Sequence, residues 1–286
     1  MSHPIHFPAT DGFTLAGDLF EPTGPARARV VIGAAMGVPR SYYAAFAEHL
    51  AARGALVLSF DYRGMGGSLP GQPPGNLECS LSDWGERDLA GAFRALEKEA
   101  PAARSLFVGH SVGGQLLGFV PDLDVEAALF VASQSGYYGN WSGVSRALMY
   151  GVWNGLIPLF VSTLGRLPMK AARQGEDVPG GVARQWARWG RRPGYLWPDA
   201  MERGGASFTR WKGRLLSVGI ADDGYAPRRS IQALGDMYRA AAVEVREIAP
   251  RDIGEKAIGH FGFFRRRFER SLWAMAAEHL GLGGPA

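Results

Sequence analysis

The sequence has one cysteine, Cys79, among 286 residues. A single thiol cannot close an intrachain disulfide or build a cysteine metal cluster, so the fold must rest on its core. Lysine is almost as scarce: Lys98, Lys170, Lys212 and Lys256 stand alone among arginines. The formal charge is only +4 and the arginines are scattered, which gives little support to a nucleic-acid partner. The first six residues, Met1 to His6, lack a basic stretch followed by an apolar run, so no signal peptide is expected. Long unbroken apolar runs are missing too. The longest, 148–164, is interrupted by Asn154, Gly155 and Pro158 and reads as a buried or cap helix rather than a membrane span. The expectation is a cytoplasmic protein without stable membrane insertion.

What is present is ordinary for a globular chain, 47% hydrophobic and 20% charged, and long enough for one large α/β domain or two smaller ones. Two short strand signals, 5–8 and 13–20, flank the turn Asp11-Gly12. Continuous apolar strands follow at 29–34, 55–60, 105–109 and 127–132, and later at 214–220 and 243–248. Between them lie helical patterns at 42–53, 84–99 (with Ser82 or Asp83 as N-cap), 112–119, 228–239 and 264–280. Apolar strands alternating with helices predict a mostly parallel sheet covered on both faces. Between 134 and 211 the rhythm stops. This segment carries six tryptophans and no clear strand, and reads as a helical insertion over the sheet's C-terminal edge. The predicted domains are a core of 1–133 and 212–286 and a cap of 134–211.

Gly109-His110-Ser111-Val112-Gly113 sits where a strand meets a helix, the context that a G-x-S-x-G nucleophile turn requires. The chain must reverse sharply there, and Gly two before and two after removes Cβ atoms that would collide. The turn exposes the Ser111 hydroxyl and leaves the Val112 N–H at a helix start, where it can bind an oxyanion. The motif alone is weak in a chain with 40 glycines; its partners strengthen it. A serine nucleophile needs a base and the base an orienting acid, in the order Ser, acid, His on this architecture. Asp222 and Asp223 follow the strand 215–220, and His260 stands in the loop Ile258-Gly259-His260-Phe261-Gly262 after the next strand. Of six histidines, His3 and His6 are near the start, His49 and His279 lie on helices, and His110 is expected to point into the turn. His260 is therefore the candidate base. Asp223, four residues before Pro227, is preferred as acid, with Asp222 as the alternative.

These residues resemble the α/β-hydrolase superfamily, most closely its serine aminopeptidase/monoacylglycerol-lipase-like branch and bacterial predicted hydrolases. The resemblance rests on Asp11-Gly12 with Leu15 and Gly17, on Asp61-Tyr62-Arg63-Gly64-Met65-Gly66-Gly67-Ser68, on 109–114, on Asp222-Asp223 and on Gly259-His260. It implies the α/β-hydrolase fold, an eight-stranded mostly parallel sheet with a helical cap, and a cofactor-free acyl-enzyme mechanism on a small-molecule ester. Many relatives carry His-Gly after the third strand; here the run is Gly33-Ala34-Ala35-Met36-Gly37. Aligned with the family pattern, Met36 supplies the second oxyanion N–H, with Ala35 as fallback. The Asp61–Ser68 element is read as a rigid structural turn beside the active site, with neither Asp61 nor Arg63 catalytic.

Within the insertion, Tyr137, Trp141 and Trp153 are candidate substrate-binding residues, the alternative being that such aromatics form the cap's own core. An acyltransferase would use the same triad. An aminopeptidase would need an amine-binding carboxylate, for which Glu176, Asp177, Asp199 and Glu202 are candidates. A non-catalytic binding protein on the same fold is the reading from another class. A homodimer is compatible with the sequence.

Overall fold

The structure, a computed structural model, describes residues 1–69, 71, 73–171 and 175–284. The chain opens on a hairpin, β1 (Ser2–Pro8) pairing antiparallel with β2 (Thr14–Phe20) around Asp11-Gly12. The next strands, β3 (Ala28–Gly33), β4 (Ala55–Phe60), β5 (Arg104–His110) and β6 (Ala127–Val131), are buried along nearly their whole length. That is why they read as continuous apolar runs: helices cover both faces and leave no side to be polar.

After β6 the insertion begins. Its first helix runs unbroken from Gly143 to Leu164, through a π turn at Val152–Leu156. Asn154, Gly155 and Pro158, which interrupt the apolar run, do not interrupt the helix. The π turn absorbs them instead, since a widened turn tolerates the hydrogen bond that proline cannot make. The helix is a cap helix but not a buried one: only 17% of its most apolar stretch is buried. A ladder the sequence did not suggest follows, β7 (Arg166–Leu167) against β8 (Val178–Pro179). The helices Gly180–Gly190, Trp197–Glu202 and Ala206–Arg210 complete the insertion. The core resumes with β9 (Arg214–Ile220) and β10 (Ala242–Ile248).

The main sheet has eight strands in the order β1-β2-β4-β3-β5-β6-β9-β10. β2 alone runs against the rest; the pairs from β4 to β10 are parallel. The C-terminal ends of β3, β5, β6, β9 and β10 therefore share one edge, where loops of an open α/β sheet meet. The helix expected at 84–99 starts earlier, at Leu81, because Ser80 rather than Ser82 or Asp83 is its N-cap. Asp83 closes a capping box back onto Ser80.

Candidate active site

Ser111 follows the last residue of β5 with φ 51° and ψ −116°, a left-handed conformation that is costly for a residue with a Cβ. Two glycines make the turn possible by close approach. A Cβ on Gly109 would lie 2.5 Å from Gly114 Cα, and one on Gly113 2.1 Å from the Gly33 carbonyl oxygen. The second contact packs the helix Val112–Leu116 directly beneath the end of β3. The loop after β3 is thereby brought alongside Ser111, whose N–H donates to Val131 O at 2.9 Å.

In that loop the Ala35 N–H donates to Tyr43 Oη at 2.9 Å, so it is already engaged. The Met36 N–H makes no hydrogen bond among the described residues. Of the two residues considered for the second oxyanion donor, Met36 is the one whose N–H is free.

The loops carrying Asp223 and His260 meet across 37 residues of chain. His260 Nδ1 lies 2.7 Å from Asp223 Oδ2, both side chains being almost wholly buried. Asp223 Oδ1 accepts from the Tyr225 N–H at 2.8 Å, which fixes the carboxylate plane. Asp222 points elsewhere: its two oxygens accept the N–H groups of Ile258 and Gly259, each at 3.0 Å. One aspartate therefore meets the imidazole while its neighbour holds the backbone that carries it. Among the described residues the Ser111 hydroxyl makes no hydrogen bond. The nucleophile–base bond of such sites is commonly long without substrate and tightens in the Michaelis complex.

His110 departs from expectation. It does not fold into its own turn but bridges three loops. Its Nδ1 lies 2.8 Å from Tyr43 Oη, and its Nε2 lies 3.0 Å from the carbonyl oxygen of His260. Tyr43 accepts from Ala35, so its hydroxyl proton is free to go to Nδ1; Nε2–H then donates to the His260 carbonyl. Burial pushes the His110 pKa down to about 3, with the nearby His260 acting in the same direction. Tyr42 Oη adds a further bond, to the Phe261 carbonyl. Three consecutive residues of the His260 loop and its neighbour Phe261 are thus held by side chains from the acid loop, the nucleophile turn and the segment following β3. Sequence reasoning missed the Tyr43–His110 link, which spans 67 residues and has no motif.

The Asp61–Ser68 element is a turn tied down by hydrogen bonds and ion pairs. Arg63 pairs with Asp88 and Asp11 at 2.6–2.9 Å. Asp61 accepts the N–H groups of Arg40 and Gly67, and Ser68 Oγ bridges the Ala16 N–H and the Asp61 carbonyl. Cys79 is buried, and that burial pushes its thiol up to about 12. Among the described residues no group of three or more His, Cys, Asp or Glu is arranged to hold a metal ion.

The three aromatic residues singled out in the insertion differ in placement. Trp141 donates its indole N–H to the Gly224 carbonyl at 3.1 Å, anchoring the insertion to the acid loop. Tyr137 is half-buried, with its ring 5.0 Å from that of Tyr138. Trp153 is 1% exposed and packs edge-on to Trp186 and against Gly190. It belongs to the insertion's own core rather than to a wall open to ligand. The candidate amine-binding carboxylates are largely spoken for. Asp199 accepts from Arg188, Arg192, Trp189 and Gln185; Asp177 pairs with Arg166 and Glu176 with Lys170, while Glu202 is exposed and unpaired among the described residues. A surface hollow of about 680 Å³ between Asn140 and the helix Arg228–Gly235 includes none of Ser111, Asp223 or His260.

A serine at positive φ between close-packed strand and helix, with an imidazole–carboxylate pair on the loop that the preceding residue His110 bonds, is the arrangement found in one class of hydrolase architecture. Residues 30–269 match the model of the alpha/beta hydrolase family, and the chain belongs to that family. No curated protein matches the sequence. Among solved structures, the chain resembles the Pyrococcus furiosus esterase Pf2001 at 14% identity, with 98% of this chain and 92% of that one covered and a TM-score of 0.61. It also resembles a Paleococcus ferrophilus monoacylglycerol lipase at 15% identity, with 93% and 98% covered and a TM-score of 0.60. Est816, described as an N-acyl homoserine lactone degrading enzyme, is 18% identical over 93% of this chain and 97% of its own, with a TM-score of 0.55. At these identities the likeness is one of fold.

Proposed function

We propose that the protein is a carboxylic ester hydrolase acting through an acyl-enzyme on Ser111. The observation that carries this reading is the 2.7 Å bond between His260 and Asp223 beside a serine held at positive φ. His260 removes the hydroxyl proton as Ser111 attacks the ester carbonyl. The N–H groups of Val112 and Met36 receive the developing oxyanion. His260 then protonates the leaving alcohol, and a water activated by the same imidazole releases the acid. Asp223 holds the imidazole in the Nδ1–H tautomer and stabilises its cation.

The substrate class is an apolar ester or lactone of small to medium acyl group. Its support is the aromatic character of the insertion, together with the ion pairing of Glu176, Asp177 and Asp199, which leaves solvent-exposed Glu202 as the one unpaired carboxylate of the four considered. The test combines a fluorophosphonate probe with a p-nitrophenyl ester series. Labelling of the wild type, none of Ser111→Ala, and fastest turnover of uncharged butanoyl-to-octanoyl esters are expected. Equal labelling of Ser111→Ala would remove the nucleophile assignment. Product transfer to a dilute acceptor alcohol in preference to water would turn the hydrolase into an acyltransferase.

A further inference from the structure

The described residues include nine large hydrophobic side chains exposed to solvent. Six of them, Val144, Leu148, Tyr150, Leu156, Leu159 and Leu164, lie on the one helix Gly143–Leu164. Apart from Met1, the others are Tyr225 and Phe261, whose rings lie 5.4 Å and 4.9 Å from that of His260. The first half of the helix, Gly143–Gly151, buries no residue at all. Val144, Leu148, Leu156 and Leu159 fall at helical spacing on the side away from buried Trp153, Ile157 and Val161, and so many exposed apolar side chains on one helix are unusual on a protein that meets only water.

Charge identifies what covers it. Residues 134–211 contain ten Arg and Lys against four Asp and Glu, an excess of six cations, whereas the whole chain has an excess of four. The insertion is thus basic and the rest slightly acidic. The helix itself contains one charged residue, Arg146, and no acid. Asp177 and Asp199 are held in ion pairs with insertion arginines, while Arg184, Arg188 and Arg191 are exposed on and just after the adjoining helix Gly180–Gly190. Two copies meeting through this surface would bring like charges together; an anionic lipid surface would attract it.

The helix is long and apolar enough by composition to cross a bilayer, but its ends cannot part. Before its start Trp141 is bonded to Gly224, and after its end Met169 and Glu176 lie against Gly37. Both ends return to the hydrolase body, so the helix can only lie flat. We propose that the helix Gly143–Leu164 docks in the headgroup–acyl boundary of anionic phospholipid membranes, with the surrounding arginines on the headgroups. This is the geometry of an interfacial helix. It also brings Tyr225 and Phe261, beside His260, to the edge of the lipid phase from which an apolar ester would enter.

The test is flotation of the full chain with vesicles of phosphatidylcholine containing about 30% phosphatidylglycerol. The wild type is expected to float with them at low salt and much less at high salt or with pure phosphatidylcholine. Leu148→Asp/Leu159→Asp changes two exposed side chains and is expected to lower partitioning about a hundredfold, with unchanged melting temperature and unchanged hydrolysis of a water-soluble ester. Ser111→Ala is expected to float like the wild type, so failure of the hydrolase reading leaves this result untouched. In the wild type, vesicles are expected to protect the bond after Arg146 from trypsin, which requires no variant. Absence of flotation, equal flotation of the double variant, or a concentration-dependent dimer in sedimentation that the double variant dissolves would each overturn the proposal.

Discussion

Asp222 and Asp223 are adjacent in sequence and separate in work. The side chain of Asp223 orients an imidazole, while that of Asp222 anchors two backbone N–H groups of the loop carrying it. On the proposed mechanism Asp223→Asn favours the wrong tautomer of His260, and kcat is expected to fall about 10⁴-fold with the fold intact. Asp222→Ala leaves Ile258 and Gly259 without acceptors. It is expected to cost about 1 kcal/mol of stability and to lower kcat less than Asp223→Asn does. Parallel steady-state kinetics and thermal melts of the two variants decide it; the opposite ranking in kcat would exchange the roles. The sequence offered both aspartates as partners for His260 but could not tell which one meets the imidazole, because the loop that divides them lies 37 residues away.

His110 offers a prediction in pH. Its pKa is lowered in the folded state from 6.5 to about 3, so the folded protein refuses a proton that the unfolded chain accepts. The stability it confers is complete above about pH 6.5 and is lost progressively as pH falls toward 3. Between pH 6.5 and 4 this single group accounts for about 3 kcal/mol of acid destabilisation. His110→Asn, which removes the titration, is expected to flatten the fall of unfolding free energy over that interval in urea titrations. A slope unchanged from wild type would show that the site does not resist protonation.

At the scale of elements, the turn at Ser111 depends on how closely β3 and the helix Val112–Leu116 approach. A methyl group on Gly113 would lie 2.1 Å from the backbone oxygen of Gly33, an atom that cannot rotate away. Gly113→Ala is therefore expected to destabilise by about 3 kcal/mol or more, read by chemical denaturation, and to abolish probe labelling in whatever folds. A melt within a degree of wild type would mean that the two elements can separate freely. The strands and most core helices were legible because their signals are local: a strand buried on both faces is a run of Val, Ile, Leu and Phe wherever it is met. The insertion was legible only as a departure from that rhythm. Asn154, Gly155 and Pro158 are breakers by propensity, and a π turn pinned by Trp153, which packs on Trp186 and Gly190, carries the helix through all three. The β7–β8 ladder, two residues on each side, is too short to leave any periodicity in the sequence.

Across the whole molecule, stability is distributed unevenly between the two halves of the insertion. The helix Gly180–Gly190 buries seven of its residues, among them Val182, Ala183, Ala187 and Trp189. Its surroundings are tied to the core by Tyr195 Oη on Gln115, Gln185 on Ser82 and Trp211 on the Val125 carbonyl. The stretch Gly143–Gly151 buries none; it leans on the turn Tyr138–Asn140, through Tyr150 against Tyr138, and on its own continuation, with Met149 half-buried against the core. Local opening costs only the contacts it breaks, so the second stretch opens at a small fraction of the global free energy and the first does not. Hydrogen exchange followed by mass spectrometry is expected to show amides of 143–151 exchanging orders of magnitude faster than those of 182–190, which should track the strands of the main sheet. Equal protection of the two stretches in dilute solution would mean that the apolar helix is already covered by something other than water. Fast exchange alone, slowed when anionic vesicles are added, is the outcome that joins this gradient of stability to the docking surface it leaves exposed.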